Sequence, residues 1–150
     1  MDKPRILFVC EHNSGRSQIA EEMLRKLAGN RFDVESGGLE PREILPLIVE
    51  VLREEGIDVS GKTPRSVFDL YKASNVYTYV ITVCSPETDV QCPLFPGVQQ
   101  RLNWPFPDPA DFSGSREEQL QQVRRLKEDI TQRLTEFFQL SHNNSLETPK

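Results

Sequence analysis

Several features that mark membrane, secreted and metal-binding proteins are missing from this sequence. No apolar run approaches the length that a membrane-spanning helix needs, and the run near the N-terminus is too short for a secretory signal. The only two histidines, His12 and His142, stand far apart, and no two cysteines have the CxxC spacing of many zinc sites. We therefore expect a cytoplasmic protein that holds no metal and needs no cofactor.

Cysteine is scarce: the chain has three, and this odd number argues against a framework of structural disulfides. The cysteines are then either reactive thiols or small core residues.

An excess of positive charge is also missing, since the formal net charge is -5, which argues against general binding to nucleic acid or to a membrane surface. A small anionic substrate is compatible with this composition, because one positive pocket can exist within an acidic protein.

The length of 150 residues corresponds to one domain with a continuous core. We expect that domain over residues 1–140, followed by a polar tail at 141–150, and a monomer. Short apolar runs predict strands at 5–10, 32–36, 76–83 and within 97–104. Helical spacing of apolar residues predicts helices at 17–28, 44–55 and 117–140. This alternation predicts an α/β fold with a mainly parallel sheet, whose ligand lies beyond the carboxyl ends of the strands.

The loop after the first strand holds the residues best suited to catalysis. Five residues separate Cys10 from Arg16, between a buried strand and the start of a helix. Backbone N–H groups of such a loop converge on an anion, the helix dipole adds positive charge, and Arg16 can grip two oxygens. The same field stabilises a thiolate, so we predict that Cys10 is a nucleophile. The alternative is an ordinary strand-to-helix turn with a buried cysteine.

We predict that the anion is bound by Glu11, His12, Asn13, Ser14, Gly15, Arg16 and Ser17. Ser17 is also predicted to cap the following helix, from which position it can form a hydrogen bond with the Cys10 sulfur.

The other two cysteines follow the third predicted strand. Cys84 comes at the end of the apolar run that predicts the third strand, as Cys10 comes at the end of the first. If these two strands are neighbours in the sheet, they lie about 4.8 Å apart, and both sulfurs emerge at one edge within the distance that a disulfide needs. Cys92 comes eight positions later, and a helix between the two would separate them by about 12 Å. A Cys84–Cys92 disulfide therefore requires this segment to unwind. The alternatives are a buried residue at a strand end and an incidental cysteine in a surface loop.

The stretch VCEHNSGRSQIAEEML resembles the catalytic loop and first helix of the low-molecular-weight protein tyrosine phosphatase superfamily. Within it, the chain is similar to the thioredoxin-coupled arsenate reductases. Further resemblance lies in SGGLEP at 36–41, GIDVS at 56–60, TVC at 82–84, CP at 92–93 and NWPFPDPA at 103–110. The resemblance implies a phosphotyrosine protein phosphatase I-like fold, which is a three-layer α/β/α arrangement with a four-stranded parallel sheet in the order 2-1-3-4.

The resemblance also implies a reaction and its partners. Cys10 would form an adduct with arsenate, Cys84 would attack Cys10 and release arsenite, and Cys92 would then attack Cys84. Thioredoxin would reduce the resulting disulfide. One disulfide supplies the two electrons that the reduction of arsenate requires. Asp108 resembles the general acid of the superfamily, whereas Asp-Pro alone is a common turn dipeptide.

Two other functions remain open at this point. One is a phosphatase that hydrolyses phosphomonoesters with Cys10, Arg16 and Asp108 and no redox step. The other is a non-catalytic module that binds an oxyanion. Ala110, where the phosphatases commonly have an aromatic residue, favours a small inorganic substrate over phosphotyrosine.

Four positions depart from the pattern of the arsenate reductases. Glu11 and His12 stand where small or neutral residues are usual, and we expect both side chains to point outward; His12 is a candidate for a left-handed backbone. Gly15 replaces a further cysteine of many relatives. Some relatives hold potassium beside the loop; Asn13, Glu21 and Ser36 match that site, but Arg65 stands in its acidic position and could supply the positive charge itself.

Overall fold

The computed structural model describes residues 3–140, so the predicted tail and His142 lie outside the described residues. Four parallel strands form one sheet in the order β2-β1-β3-β4. They are β1 (Arg5–Cys10), β2 (Asp33–Gly38), β3 (Tyr79–Thr82) and β4 (Gln100–Asn103). The implied strand order and direction are confirmed.

Helices cover both faces of the sheet. They are α1 (Arg16–Ala28), α2 (Pro46–Glu54), α3 (Val67–Lys72), α4 (Pro86–Asp89) and α5 (Arg116–Phe138), with a short 3-10 helix at Pro109–Asp111. Side chains of α1, α2 and α5 pack on the face that carries Ile6 and Phe8. Side chains of α3 and of the chain after α4 pack on the face that carries Leu7 and Val9. The three-layer prediction is confirmed.

Alternation along β1 explains these two cores, because successive side chains of a strand point to opposite faces. All of Ile6, Leu7, Phe8 and Val9 are fully buried. Such a run is typical of a central strand that is covered on both sides. Among residues 3–140, no helix is long and apolar enough to cross a membrane.

Several predicted boundaries shift for local reasons. The second helix begins at Pro46, since Leu45 has an extended backbone and proline suits the first helical position. The final helix begins at Arg116 behind a Ser115–Glu118 capping box, and it ends when Gln139 turns left-handed. The third strand is shorter than predicted, because only Tyr79–Thr82 pair with neighbours on both sides.

Two helices were not predicted. The six residues of α3 and the four of α4 are too short to show helical periodicity in the sequence. Each is marked only by its cap: Ser66 accepts hydrogen bonds from the start of α3, and Ser85 accepts one from the N–H of Thr88. The segment between Cys84 and Cys92, which a disulfide between them would require to unwind, is thus partly helical, because α4 occupies Pro86–Asp89.

Candidate active site

The loop between β1 and α1 turns its carbonyl groups outward. The carbonyl oxygens of residues 10, 11, 12 and 14 accept hydrogen bonds from the N–H groups of residues 39, 40, 42 and 45. In a trans peptide the N–H points opposite to the C=O, so the N–H groups of residues 11, 12, 13 and 15 face the other side, toward the loop centre. That of Asn13 lies 3.2 Å from Cys10 Sγ. The loop thus presents a cluster of donors beside the Cys10 sulfur.

Glycine is required where the end of β2 supports this loop. A Cβ on Gly38 would lie 2.7 Å from the backbone nitrogen of Asn13 and from the carbonyl carbon of His12. Similarly, a Cβ on Gly15 would lie 2.7 Å from a ring carbon of Pro109. The second contact brings the loop that carries Asp108 close to the helix start, which is consistent with glycine rather than cysteine at position 15.

Ser17 does not cap α1, contrary to prediction. The helix begins at Arg16 with Gly15 as its N-cap, so Ser17 lies inside the first turn. Its hydroxyl is buried and lies 2.9 Å from Cys10 Sγ. Because the same oxygen accepts a hydrogen bond from Asn13 Nδ2 at 2.7 Å, its own hydrogen is free to point at the sulfur. Ser17 can therefore stabilise a Cys10 thiolate.

Asn13 braces the loop from within. Its side-chain nitrogen also donates to Ser36 Oγ at 2.9 Å, and its side-chain oxygen accepts from the backbone N–H of Arg65 at 2.9 Å. Asn13, and not His12, has the left-handed backbone, with φ of 53°. Asparagine tolerates this conformation better than most residues.

The His12 side chain turns toward Glu40, whereas Glu11 lines the pocket described below. The Nδ1 atom of His12 donates to the Glu40 carbonyl at 2.9 Å. The Glu11 side chain is about half exposed and stands on the rim of the pocket described below.

Arg16 and Asp108 meet at one open pocket of about 490 Å3. The guanidinium of Arg16 donates to the Phe106 carbonyl at 3.2 Å and lies 3.4 Å from the Asp108 carboxylate. The other oxygen of Asp108 accepts from the N–H of Ala110 at 2.9 Å, which fixes its orientation. Cys84 lines the same pocket. Trp104 is buried in the core and Phe106 lines the pocket.

Cys10 ends β1, and Cys84 lies two residues past the end of the neighbouring strand β3. In the β1–β3 ladder Val9 pairs with Thr82, so Cys10 and Cys84 follow the paired residues at the carboxyl edge. Burial, together with the nearby Cys10 sulfur, raises the pKa of the Cys84 thiol to about 12. Cys84 is therefore a neutral thiol at pH 7.

Cys92 does not lie with the other two cysteines. It is buried in the core on the opposite face of the sheet, next to Leu7 and Val9. All three cysteines are free thiols. Any bond between Cys92 and Cys84 therefore requires the segment between them to rearrange, as the spacing predicted.

Comparison with known proteins identifies the family. Residues 5–146 match the family described as low molecular weight phosphotyrosine protein phosphatase. The chain belongs to that family. An arsenate reductase of Halalkalibacterium halodurans is 37% identical over 139 residues, which are 91% of this chain and 96% of that protein.

Solved structures agree with this assignment. An arsenate reductase in an oxidized state superposes with a TM-score of 0.74 at 27% identity, over 88% of this chain and 94% of that one. The thioredoxin-dependent arsenate reductase of Corynebacterium glutamicum has a TM-score of 0.67 at 32% identity. That match covers 91% of this chain and 61% of the Corynebacterium protein. The resemblance to the arsenate reductases of this superfamily is confirmed.

Lys62, which the sequence analysis did not single out, supplies the cation beside the loop. Its ammonium group lies 2.7 Å from one oxygen of Glu21, and Ser36 Oγ donates to that same oxygen at 2.5 Å. The guanidinium of Arg65 instead lies 3.8 Å from Glu35. The expectation that Arg65 brings positive charge to this cluster was wrong. Lys62 stands 41 positions from Glu21, so no local pattern connects them.

Replacing Lys62 with methionine is expected to destabilise the fold most at neutral pH. Burial acts to raise the pKa of Glu21, but Lys62 and the hydrogen bonds from Ser36 and Arg25 outweigh it and hold the pKa below its ordinary value. A carboxyl with a lowered pKa in the folded state stabilises the fold above its unfolded pKa, and this contribution is lost as the pH falls through the folded pKa. Since Arg25 remains, we expect a loss of about 2–3 kcal/mol at pH 7.

Urea unfolding at pH 7 and pH 4 checks this prediction. The difference between Lys62→Met and the unmodified chain should shrink at pH 4, because Glu21 is then largely protonated in the variant. Lys72→Met is the matched control, since Lys72 is exposed at the end of α3, and we expect a change below about 0.5 kcal/mol. An equal loss at both pH values would contradict the assigned role of Glu21.

Proposed function

We propose that this chain reduces arsenate to arsenite with its three cysteines and that thioredoxin restores the thiols. The observation that carries the proposal is the position of two cysteines beside one loop of converging N–H groups: Cys10 ends β1, and Cys84 lies two residues past the end of the neighbouring parallel strand β3. Hydrolysis of a phosphate ester needs one thiol at such a loop. A second thiol at the same edge suits a reaction that ends in a disulfide.

In the first step the loop N–H groups and Arg16 hold three oxygens of arsenate. The Cys10 thiolate, stabilised by Ser17 and the N–H of Asn13, attacks arsenic. Asp108, 3.4 Å from Arg16, protonates the oxygen that departs as water. The product is a covalent Cys10–arsenate adduct, with arsenic still in its oxidised state.

In the second step Cys84 attacks the sulfur of Cys10. The sulfur–arsenic bond breaks, its electron pair stays on arsenic, and arsenite leaves as the two sulfurs form a disulfide. Two thiols thus supply the two electrons. Because the Cys10 thiolate is one of the causes that raise the Cys84 pKa, its consumption in the adduct favours ionisation of Cys84 at the moment it is needed.

In the third step Cys92 attacks Cys84 and frees Cys10. The Cys10–Cys84 bond would be inaccessible to a protein reductant, since both residues are only 2% exposed. A Cys84–Cys92 disulfide in a rearranged segment would be open to thioredoxin, which exchanges thiols through a mixed disulfide. The thioredoxin-dependent relative from Corynebacterium supports this choice of donor.

A phosphatase is the second candidate, because Arg16 and Asp108 line one pocket next to the loop that begins at Cys10, and these three residues are a complete set for phosphomonoester hydrolysis. One assay separates the two functions. The chain is supplied with arsenate, thioredoxin, thioredoxin reductase and NADPH, and separately with an aryl phosphate. Arsenate-dependent consumption of NADPH supports the reductase. Release of phosphate with no consumption of NADPH would replace the proposal with the phosphatase.

A further inference from the structure

Arg101, on the edge strand β4, contacts the chain on both sides of Cys92. Its Nη2 atom donates to the Asp89 carbonyl at 2.9 Å and lies 3.3 Å from the Asp89 carboxylate. Its Nη1 atom donates to the Pro93 carbonyl at 3.1 Å. One guanidinium therefore bridges the two ends of the turn that carries the third thiol.

The Cys92 thiol shares a partner with this guanidinium. Its sulfur lies 3.6 Å from the same Pro93 carbonyl that accepts from Arg101. The Cys92 N–H donates to the Asp89 carbonyl at 3.1 Å, so thiol and cation are anchored to the same two backbone groups. The rest of the surroundings of Cys92 is an apolar cluster that includes Val80 and Phe95. A thiolate in this place depends on Arg101 for a compensating charge.

The other end of the segment is held from the same strand. Asn103 donates to the Cys84 carbonyl at 2.9 Å and to Thr82 Oγ1 at 2.8 Å. Residues two apart on a strand point to the same side, so Arg101 and Asn103 form one polar row beside the segment. Arg101 holds its Cys92 end, and Asn103 holds its Cys84 end.

We propose that Arg101 is a positioning residue for Cys92: it bridges the two ends of the turn that carries this thiol and offers positive charge to its thiolate, which attacks Cys84 once the segment rearranges. The inference rests on the proposed relay and adds a residue to it. In this step Cys92 loses its proton to solvent, and its thiolate attacks Cys84 in the Cys10–Cys84 disulfide. The old bond breaks, Cys10 leaves as a thiolate and the Cys84–Cys92 bond forms, with no net transfer of electrons.

The charges around Cys92 agree with this role. Burial raises the pKa of the Cys92 thiol, whereas the charge and hydrogen bonding of Arg101 act to lower it and the carboxylate of Asp89 acts to raise it. Tyr77 is the other titratable side chain of the cluster. Its hydroxyl donates to Glu35 at 2.6 Å and burial raises its pKa, so Tyr77 stays neutral through the range of the experiment.

The first test measures Cys92 alone, in a chain that carries Cys10→Ser and Cys84→Ser. The rate of alkylation by iodoacetamide is followed against pH. Arg101→Met should raise the midpoint by about one unit, which is about a tenfold loss of thiolate at neutral pH. Arg101→Lys keeps the charge and should stay near the unsubstituted midpoint. Asp89→Asn should lower the midpoint, because it removes the opposing charge.

The opposite signs separate an electrostatic role from a loosened fold, which would expose the Cys92 thiol, speed its alkylation and lower the midpoint in both variants. Unchanged midpoints in Arg101→Met and Asp89→Asn would overturn the proposal. This test uses no arsenate, so it decides the role of Arg101 even if the relay is absent.

The second test follows the disulfide itself. The chain with its three cysteines receives arsenate without thioredoxin, is quenched in acid, and its disulfides are assigned by mass spectrometry. Arg101→Met should accumulate the Cys10–Cys84 disulfide and convert it to Cys84–Cys92 about tenfold more slowly at pH 7. At higher pH the rates of the variant and the unsubstituted chain should differ less, because more of Cys92 is then ionised. Transfer as fast as in the unsubstituted chain would overturn the proposal. Failure of the unsubstituted chain to form any disulfide with arsenate would instead refute the proposed function, leaving Arg101 to the alkylation test.

Discussion

Replacing Cys84 with serine is expected to abolish arsenate reduction driven by thioredoxin and to leave any hydrolysis of an aryl phosphate unchanged. Serine cannot form a disulfide, so the electron pair that converts arsenate to arsenite has no source. Steady-state NADPH consumption should fall at least about a thousandfold, as is usual when a nucleophile is removed. Because serine is close to cysteine in size and Cys84 is buried, the loop and Arg16 should keep their positions.

Cys92→Ser is the matched control for this variant, and the two should fail at different steps. Cys92→Ser should release one arsenite per chain and stop with a Cys10–Cys84 disulfide, because that bond is buried away from thioredoxin. Cys84→Ser should release none. Quantifying arsenite in a single turnover and assigning the disulfide by mass spectrometry distinguish the cases. Multiple turnovers in either variant would refute the relay.

Replacing Arg16 with lysine should impair both reactions although the charge is kept. Arg16 lies in the first turn of α1 and is nearly buried. Its guanidinium group contacts the Phe106 carbonyl and the Asp108 carboxylate. Lysine is a point charge that cannot grip two oxygens in one plane. We expect kcat to fall by about 100- to 1,000-fold for arsenate and aryl phosphate alike, in line with the loss of one oriented donor at a transition state.

Two measurements show whether this loss is geometric. Alkylation of Cys10 should remain fast in Arg16→Lys, because the positive charge beside the thiolate is kept. Arg42→Lys is the control, since Arg42 is exposed and pairs with Glu40 outside the pocket, and its kcat should be unchanged. Retention of more than about a tenth of the activity by Arg16→Lys would show that charge alone suffices.

The strongest local signals in the sequence predicted the parts that depend on neighbours along the chain. The apolar run that ends at Cys10, followed by Arg16 and a helical pattern, placed the candidate loop at the carboxyl edge of the sheet. The 23 residues of α5 were predicted with small errors at both ends, because a long helix repeats its apolar face many times. The strand order came from resemblance to a family, since periodicity does not tell which strands pair.

Short elements and caps were harder to predict. The helices α3 and α4 span fewer than two turns each, too few for a period to show. Ser17 looked like a helix cap, but the helix begins at Arg16, and its N-cap, Gly15, lies close to Pro109. That contact crosses more than ninety positions of sequence.

Residues that are close in the sequence predicted an α/β chain with a candidate nucleophile and an arginine on one loop, because strand, loop and helix there are consecutive. The packing of distant elements was needed to show that Lys62 contacts Glu21, that Cys92 lies on the opposite face of the sheet from Cys10, and that Arg101 bridges the turn around Cys92. These partners are distant along the chain, and they meet because the sheet and its helices bury their apolar faces together. The apolar pattern within one helix or strand predicts which of its faces is buried, but it does not predict which distant side chain packs against that face.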